Sequence, residues 1–206
     1  MDKLIIFPFN GNGLEALDCI SGQYELIGFA DDTKEKQMIE NQHFKVYSRE
    51  IIDKYPEAFV LAVPGGPFSY DLRVKIIESL KIPDKRFAQV IHPSSSVSNL
   101  SKIGFNVLLM AGVVITSNAR IGNHTCILPN SVIHHDTVIG DYSLVGSNVT
   151  VAGYVKIGRS CYIGSGTSII NNINIGDQTL IGMGSNVLKS LDAKLKAVGN
   201  PARIID

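Results

Sequence analysis

From Ile103 onward an aliphatic residue returns every six positions: Ile103, Leu109, Ile115, Ile121, Ile127, Ile133, Ile139, Val145, Val151, Ile157, Ile163, Ile169, Ile175, Ile181 and Val187. These are fifteen consecutive hexads without an insertion. Glycine follows directly in many of them, at Gly104, Gly122, Gly140, Gly146, Gly158, Gly164, Gly176 and Gly182. The fifth place is small or β-branched almost throughout, as in Val107, Ala119, Thr125, Ser131, Thr137, Ser143, Cys161, Thr167 and Ser185. A helix, with 3.6 residues per turn, cannot hold a strict six-residue period. That period is the mark of a parallel β-helix. Each hexad is expected to form a short strand and a turn. The aliphatic residue points inward, the small residue fills the inner corner, and glycine permits a tight backbone there. Three hexads close one triangular coil, so the run makes five coils. Val97 and Ile91 extend the pattern backwards in weaker sequence.

The residues before this run have another rhythm. Lys3–Phe7, Tyr24–Ala30, Phe59–Val63 and Arg86–Ile91 read as short apolar strands. Leu14–Ile20, Ser48–Lys54 and Tyr70–Leu80 read as helices, with Ser48 suited to cap the second. Alternating strands and helices predict a small α/β parallel sheet over residues 1–91. The β-helix and its tail occupy 92–206, with His92-Pro93 at the boundary.

Composition narrows the function. The 206 residues carry 19 basic and 19 acidic side chains and no net charge. No basic stripe points to nucleic acid. No 18-residue apolar run points to a membrane span, and no secretory leader is evident. Cys19, Cys126 and Cys161 lie far apart without paired spacing, as expected of reduced, buried thiols in a cytoplasmic protein. No cluster with metal-ligand spacing is present, so no metal is expected.

Gly11-Asn12-Gly13 follows the first strand and opens a helix, and Asp31 lies 20 residues after Gly11. This is Rossmann spacing, with phosphates at the helix start and ribose or base at the end of the second strand. About 90 residues make half the usual six-stranded dinucleotide sheet, so a nucleoside diphosphate fits better than a dinucleotide.

In the hexad Ile133-His134-His135-Asp136-Thr137-Val138, His135 and Asp136 fall at the outward turn. Residues 18 apart stack one strand spacing away, roughly 4.8 Å. The column through His135 reads Ser117, His135, Gly153, Asn171, Lys189. A histidine beside a glycine suits a general base next to an accessible backbone N–H.

A short Rossmann-like domain joined to such a β-helix resembles the hexapeptide-repeat sugar acetyltransferases of the sialic acid O-acetyltransferase and bacillosamine N-acetyltransferase group, whose β-helix is left-handed. The resemblance implies that the glycine turn, here Asn10, Gly11, Asn12 and Gly13, holds the phosphates of a nucleotide-linked amino sugar. It implies that Asp31 and Asp32, after Gly28-Phe29, contact the base, and that Gly65 lines the pocket. His135 becomes the base, Asp136 its orienting acid, and Gly153 N–H the donor to the thioester carbonyl. Acetyl-CoA is implied as cosubstrate, meeting Gly153 through its thioester carbonyl and Ser165 and Met183 through its pantetheine amides, between subunits of a homotrimer. The tail Gly199–Arg203 is implied near the adenine end, or as a plain cap on the solenoid. Two positions depart from the family: Asn12 stands where relatives have histidine, and Leu144 where a histidine often touches the coenzyme.

The expectation is therefore an acetyl-CoA-dependent N-acetyltransferase of a nucleotide-linked amino sugar, serving surface glycan or lipopolysaccharide biosynthesis. Its rivals are O-acetylation of sialic acid or a polysaccharide, and a non-catalytic β-helix that binds nucleotide sugars.

Overall fold

A computed structural model describes residues 1–205. Three parallel sheets wind around one apolar core, and each strand pairs with the strand 18 residues later. Lys102–Ile103, Arg120–Ile121, Val138–Ile139, Lys156–Ile157 and Asn174–Ile175 form the first face. Val107–Leu109, Cys126–Ile127, Leu144–Val145, Tyr162–Ile163 and Leu180–Ile181 form most of the second. Ser96–Val97, Val114–Ile115, Val132–Ile133, Thr150–Val151, Ser168–Ile169 and Asn186–Val187 form the third. Three parallel sheets with six-residue rungs fit a left-handed β-helix. The aliphatic row is buried from Leu109 to Val187. The fifth-place row is buried beside it, and its hydroxyls donate to backbone carbonyls: Ser131 to Gly146, Thr137 to Ala152, Ser143 to Gly158 and Thr167 to Gly182. Small polar residues thus enter the core with their bonding capacity satisfied.

The glycines after the aliphatic residues permit a close backbone seat against the next coil rather than a left-handed turn. None of them has positive φ. A Cβ on Gly122 would lie 2.7 Å from Asp141 N and 2.9 Å from the carbonyl carbon of Gly140, so the next coil forbids it. Left-handed backbone falls instead two residues later in the hexad. Asn106, Gly112, Asn118, His124, Asn130, Asp136, Tyr142, Asn148, Tyr154 and their successors every six residues to Gly184 all have positive φ. Asparagine is frequent there because it tolerates that region better than most side chains.

The N-terminal unit is a four-stranded parallel sheet. Strands β1 (Asp2–Phe7), β2 (Tyr24–Ala30), β3 (Val46–Tyr47) and β4 (Phe59–Ala62) lie in the order 3-2-1-4, as at the start of a doubly wound sheet. Helix α1 spans Gly11–Glu15, α2 Ile51–Lys54 and α3 Arg73–Glu78. The glycine turn is thus the first turn of α1, capped by Asn10, whose Oδ1 accepts from Gly13 N. Ser48 does not cap α2; its hydroxyl meets the Glu50 carboxylate, and Glu50 occupies the cap position. The strand expected at Arg86–Ile91 does not join this sheet as a full strand. Phe87 makes a single bridge to Val60, and Gln89–Ile91 (β5) pairs with Val107–Leu109 as the first rung on the second β-helix face. No helix among the described residues is long and apolar enough to cross a membrane.

One side of the small sheet carries Leu4, Ile6, Phe29 and Leu61. They share a core with Leu108, Cys126, Leu144 and Tyr162, which project outward from the second β-helix face. Polar ties complete the joint. Asn106 brackets Ala62 with its side-chain amide and donates to Nδ1 of His124. Arg73, fully buried, donates to the carbonyls of Tyr142 (2.9 Å), His124 (2.6 Å) and Pro64. Burial lowers its pKa to about 10, so it remains a cation at neutral pH, solvated by carbonyl dipoles. Burial and the nearby Arg73 charge push His124 down to about 4. A neutral Nδ1 is also what the Asn106 bond requires.

His124 has a consequence for stability. Its ordinary pKa is 6.5 and its folded value about 4, so the unfolded chain binds the proton first as pH falls. Its contribution is complete above the unfolded value, declines between them, and amounts to at most about 3 kcal/mol. Urea midpoints should fall as pH drops from 6.5 to 4, and His124→Asn should flatten that dependence. Identical slopes in the two proteins would remove His124 from the acid transition.

Candidate functional site

The turn residues 134–136 sit at the corner between the third and first faces. Asp136 takes the left-handed conformation (φ 57°), which swings its carboxylate beside the preceding ring. His135 Nδ1 lies 2.9 Å from Asp136 Oδ2. A carboxylate only accepts, so Nδ1–H is the donor, and the tautomer this bond selects for a neutral ring leaves the lone pair on Nε2. The bond from His135 holds the Asp136 carboxyl below the usual range, and Asn118 Nδ2, one coil earlier, adds to this from 3.2 Å. The imidazole lies against Gly153: a Cβ there would sit 2.7 Å from Cε1 and Nε2. Tyr154 meets the ring edge-on at 5.1 Å. The Gly153 N–H has no acceptor among the described residues. A ring nitrogen without a partner and a free amide donor thus share one half-exposed corner, an arrangement able to take a proton and stabilise an oxyanion.

Asn118 and Tyr154 were not singled out from sequence. The signal was available: 118 is 18 residues before 136, and 154 is 18 after it. Register alone puts all three in one column. Their role follows only from seeing which atoms meet.

The residues expected to hold the nucleotide fall into two sets. Asp31, Asp32 and Gly65 line a cavity of about 280 Å³ with Pro8, Lys36 and Arg49. Asn10, Gly11, Asn12 and Gly13 do not line it. Asn10 ties α1 to β4 through Val63 O, and Asn12 reaches Gly65 O at 3.4 Å. Gly13 is glycine because a Cβ would meet Pro8 O at 2.8 Å, whereas Gly11 faces open space. Asp31 is buried and accepts from Phe9 N, Thr33 N and Lys36. Burial raises its pKa, but these donors outweigh burial and hold the carboxyl below its ordinary value. Asp32 is held in a two-pronged pair by Arg49. Both carboxylates are thus engaged within the chain, and the cations Lys36 and Arg49 stand at the cavity wall.

Ser165 and Met183 occupy the corner between the second and third faces, in one column. Neither N–H has an acceptor among the described residues. His135 and Gly153 are on the opposite edge of the third face, so one chain does not gather all four. Leu144 is buried against the N-terminal sheet, with no access to a ligand. The tail caps the solenoid: Lys196–Val198 continues the second face, Arg203–Ile205 folds back on it, and Ala202 packs on the core. The three cysteines are buried and free. Among the described residues no group of His, Cys, Asp or Glu is arranged to hold a metal ion.

Residues 101–135 and 118–153 match the family described as bacterial transferase hexapeptide (six repeats). No curated protein sequence matches the chain. Solved structures match over its full length. A variant of perosamine N-acetyltransferase from Caulobacter crescentus, in complex with CoA and GDP-perosamine, is 23% identical with a TM-score of 0.87, covering 100% of this chain and 97% of that one. The acetyltransferase domain of PglB from Neisseria gonorrhoeae, in complex with acetyl coenzyme A, is 19% identical with a TM-score of 0.86 and 98% coverage of both. WeeI from Acinetobacter baumannii is 25% identical with a TM-score of 0.84, covering 100% of both.

The column geometry predicts the effect of Gly153→Ala. The new methyl collides with a half-exposed ring that can swing aside, so the melting temperature should stay within about 2 °C, as for a surface change. Any activity that needs His135 against the 153 amide should fall at least tenfold. A variant with wild-type turnover would show that the ring does not work from this position.

Proposed function

We propose that this chain is an acetyl-CoA-dependent N-acetyltransferase acting on a nucleotide-linked amino sugar, a cytoplasmic step in surface glycan synthesis. The observation that carries this reading is His135, oriented by Asp136, lying against the unpaired amide of Gly153. The full-length likeness to structures holding CoA, acetyl-CoA or GDP-perosamine supports it. The acceptor amine attacks the thioester carbonyl. Nε2 of His135 takes the amine proton, Asp136 stabilises the imidazolium, and Gly153 N–H receives the developing oxyanion. The C–S bond then breaks, the imidazolium returns its proton to the departing sulfur, and the amide remains on the sugar.

The Rossmann-like N-terminal unit supplies the nucleotide end. Its cavity of about 280 Å³ brings Lys36 and Arg49 to a phosphorylated ligand. The unpaired N–H groups of Ser165 and Met183 are suited to pantetheine carbonyls. A homotrimer supplies what one chain separates, by bringing the 165/183 corner of one subunit to the His135 corner of another. In a tail cavity of about 340 Å³, Lys189 and Arg203 are suited to the coenzyme's phosphorylated end.

Two measurements test this reading. His135→Ala should lower kcat by about 10² to 10⁴ while leaving the melting temperature and coenzyme affinity unchanged, with His134→Ala mild. The reverse ranking would falsify the assignment. Asp31→Ala and Asp32→Ala should both raise the acceptor KM more than they lower kcat. They should differ in stability. Asp31→Ala leaves the Phe9 and Thr33 amides without their acceptor and should cost about 1–3 kcal/mol; Asp32→Ala breaks an exposed pair worth at most about 1 kcal/mol. Equal melting temperatures would contradict the structural part given to Asp31.

A further inference from the structure

The left-handed places of the β-helix follow a rule with one exception, and the exception stands beside His135. They fall in three columns. The column against the N-terminal unit holds Asn106, His124, Tyr142, Ser160 and Gln178. Larger side chains have a use there: the Tyr142 ring stacks on His124 at 4.5 Å, and its hydroxyl donates to Glu78. The other two columns have no such unit to meet. One holds Gly112, Asn130, Asn148, Gly166 and Gly184; the other holds Asn118, Asp136, Tyr154 and Asn172. Glycine, asparagine and aspartate enter this conformation at low cost, and bulky residues do not. In these two columns Tyr154, with φ 61°, is the one bulky side chain among the left-handed residues described. It gains nothing from the core. Its side chain is exposed and joins none of the apolar clusters. Its aromatic neighbour is the imidazole of His135, met at 5.1 Å with the ring planes at 86°. An unfavourable backbone conformation kept where packing gains nothing points to function.

We propose that Tyr154 is a positioning residue that pins the His135 imidazole over the Gly153 amide. The role rests on the acetyltransferase reading and deepens it. The His135 side chain is half-exposed, and its bond from Nδ1 to Asp136 is exposed as well. An exposed bond of this kind holds its partners weakly, so the imidazole could pivot about Nδ1 and carry Nε2 into solvent. Gly153 offers a floor without a side chain, on which a ring can lie but by which it is not held. Tyr154 follows Gly153 in the chain, and its amide donates to the His135 carbonyl at 3.1 Å, which ties the two residues across the rung. Its ring is the third support, and a perpendicular aromatic pair attracts beyond its buried area. Asparagine, found at 118 and 172 in the same column, would seat the turn equally well but leave the imidazole unheld. A general base depends on such holding, because a misplacement of about 1 Å can cost roughly a hundredfold in rate.

The test compares wild type with Tyr154→Asn and Tyr154→Phe. Turnover is followed with acetyl-CoA and UDP-, dTDP- and GDP-linked amino sugars. Tyr154→Asn should raise the melting temperature by about 1–3 °C, because asparagine relieves the left-handed backbone. It should nevertheless lower kcat about tenfold, with both KM values near wild type. Stability and activity then move in opposite directions, which loss of a purely structural side chain would not produce. Tyr154→Phe keeps the ring and should restore kcat to within about twofold of wild type. Crystal structures of wild type and Tyr154→Asn read the same role without turnover. His135 should hold one orientation over Gly153 in the first and be rotated or split in the second. That comparison holds even if no amino sugar is acetylated, so failure of the positioning role and failure of the acetyltransferase reading are separable. An imidazole that keeps its wild-type place in Tyr154→Asn, or an unchanged kcat, would overturn the proposal. A raised acceptor KM at constant kcat would make Tyr154 part of the acceptor site, and an equal loss in Tyr154→Phe would make the hydroxyl the working group; either result overturns it. Sedimentation showing that Tyr154→Asn dissociates would make the ring an interface element and would also overturn it.

Discussion

The molecule depends on the backbone of each coil seating directly on the next, 18 residues away. Every hexad gives its amides to the coil before or after it, and the close seat at positions such as Gly122 admits no side chain. The hydroxyls of Ser131, Thr137, Ser143 and Thr167 reinforce it from within by bonding to carbonyls of the neighbouring corner. Once this stacking is fixed, distance along the chain becomes position in space. Asn118, His135, Asp136, Gly153 and Tyr154 meet for that reason alone. A single inserted residue between 136 and 153 would move the imidazole off the glycine and turn aliphatic residues out of the core.

The same stacking decides where chemistry can sit. Two places of each hexad belong to the core and one to the close backbone seat. The outward turn is left, where a side chain costs the core nothing. Truncating a buried aliphatic residue costs roughly 2–5 kcal/mol, so the inward rows are not free to vary for function. The second face is committed as well, because Leu108, Cys126, Leu144 and Tyr162 are the floor on which the small sheet rests. Arg73 adds direction to that joint. It clamps the Pro64 carbonyl at the end of β4 to the carbonyls of two stacked turns, His124 and Tyr142. The Gly65 turn, on the wall of the Asp31–Asp32 cavity, is therefore referred to the same coils that carry the His135–Asp136 corner. Two candidate regions on different folding units share one frame.

The sequence made the β-helix legible because its signal repeats fifteen times, and each repeat states one physical demand: apolar inside, small beside it. The strands at 3–7, 24–30 and 59–63 were legible for the same kind of reason, whereas β3, only two residues long, was not anticipated. Glycine after the aliphatic residue pointed to a tight backbone, and the next coil is what makes it tight. The asparagines at 106, 118, 130 and 148 were the better indicator of left-handed turns. What misled was any residue with two plausible uses. Asp31 has the spacing of a ribose ligand, yet its carboxylate is taken by two amides and Lys36, which no spacing reveals. Leu144 was compared with a coenzyme-facing histidine, but its register turns it toward the N-terminal sheet. Residues 89–91 have strand composition that suits either sheet, and only the pairing with 107–109 decides between them.

The two edges of the third face carry different unpaired groups. One edge presents His135, Asp136 and the 153 amide; the other presents the unpaired amides of Ser165 and Met183. A full sheet face lies between them in a single chain, so an extended ligand lying along one corner cannot meet both. Two chains packed with these edges together remove that separation without changing any bond within a coil. The flat, open first and third faces permit such packing, while the second is closed by the N-terminal unit.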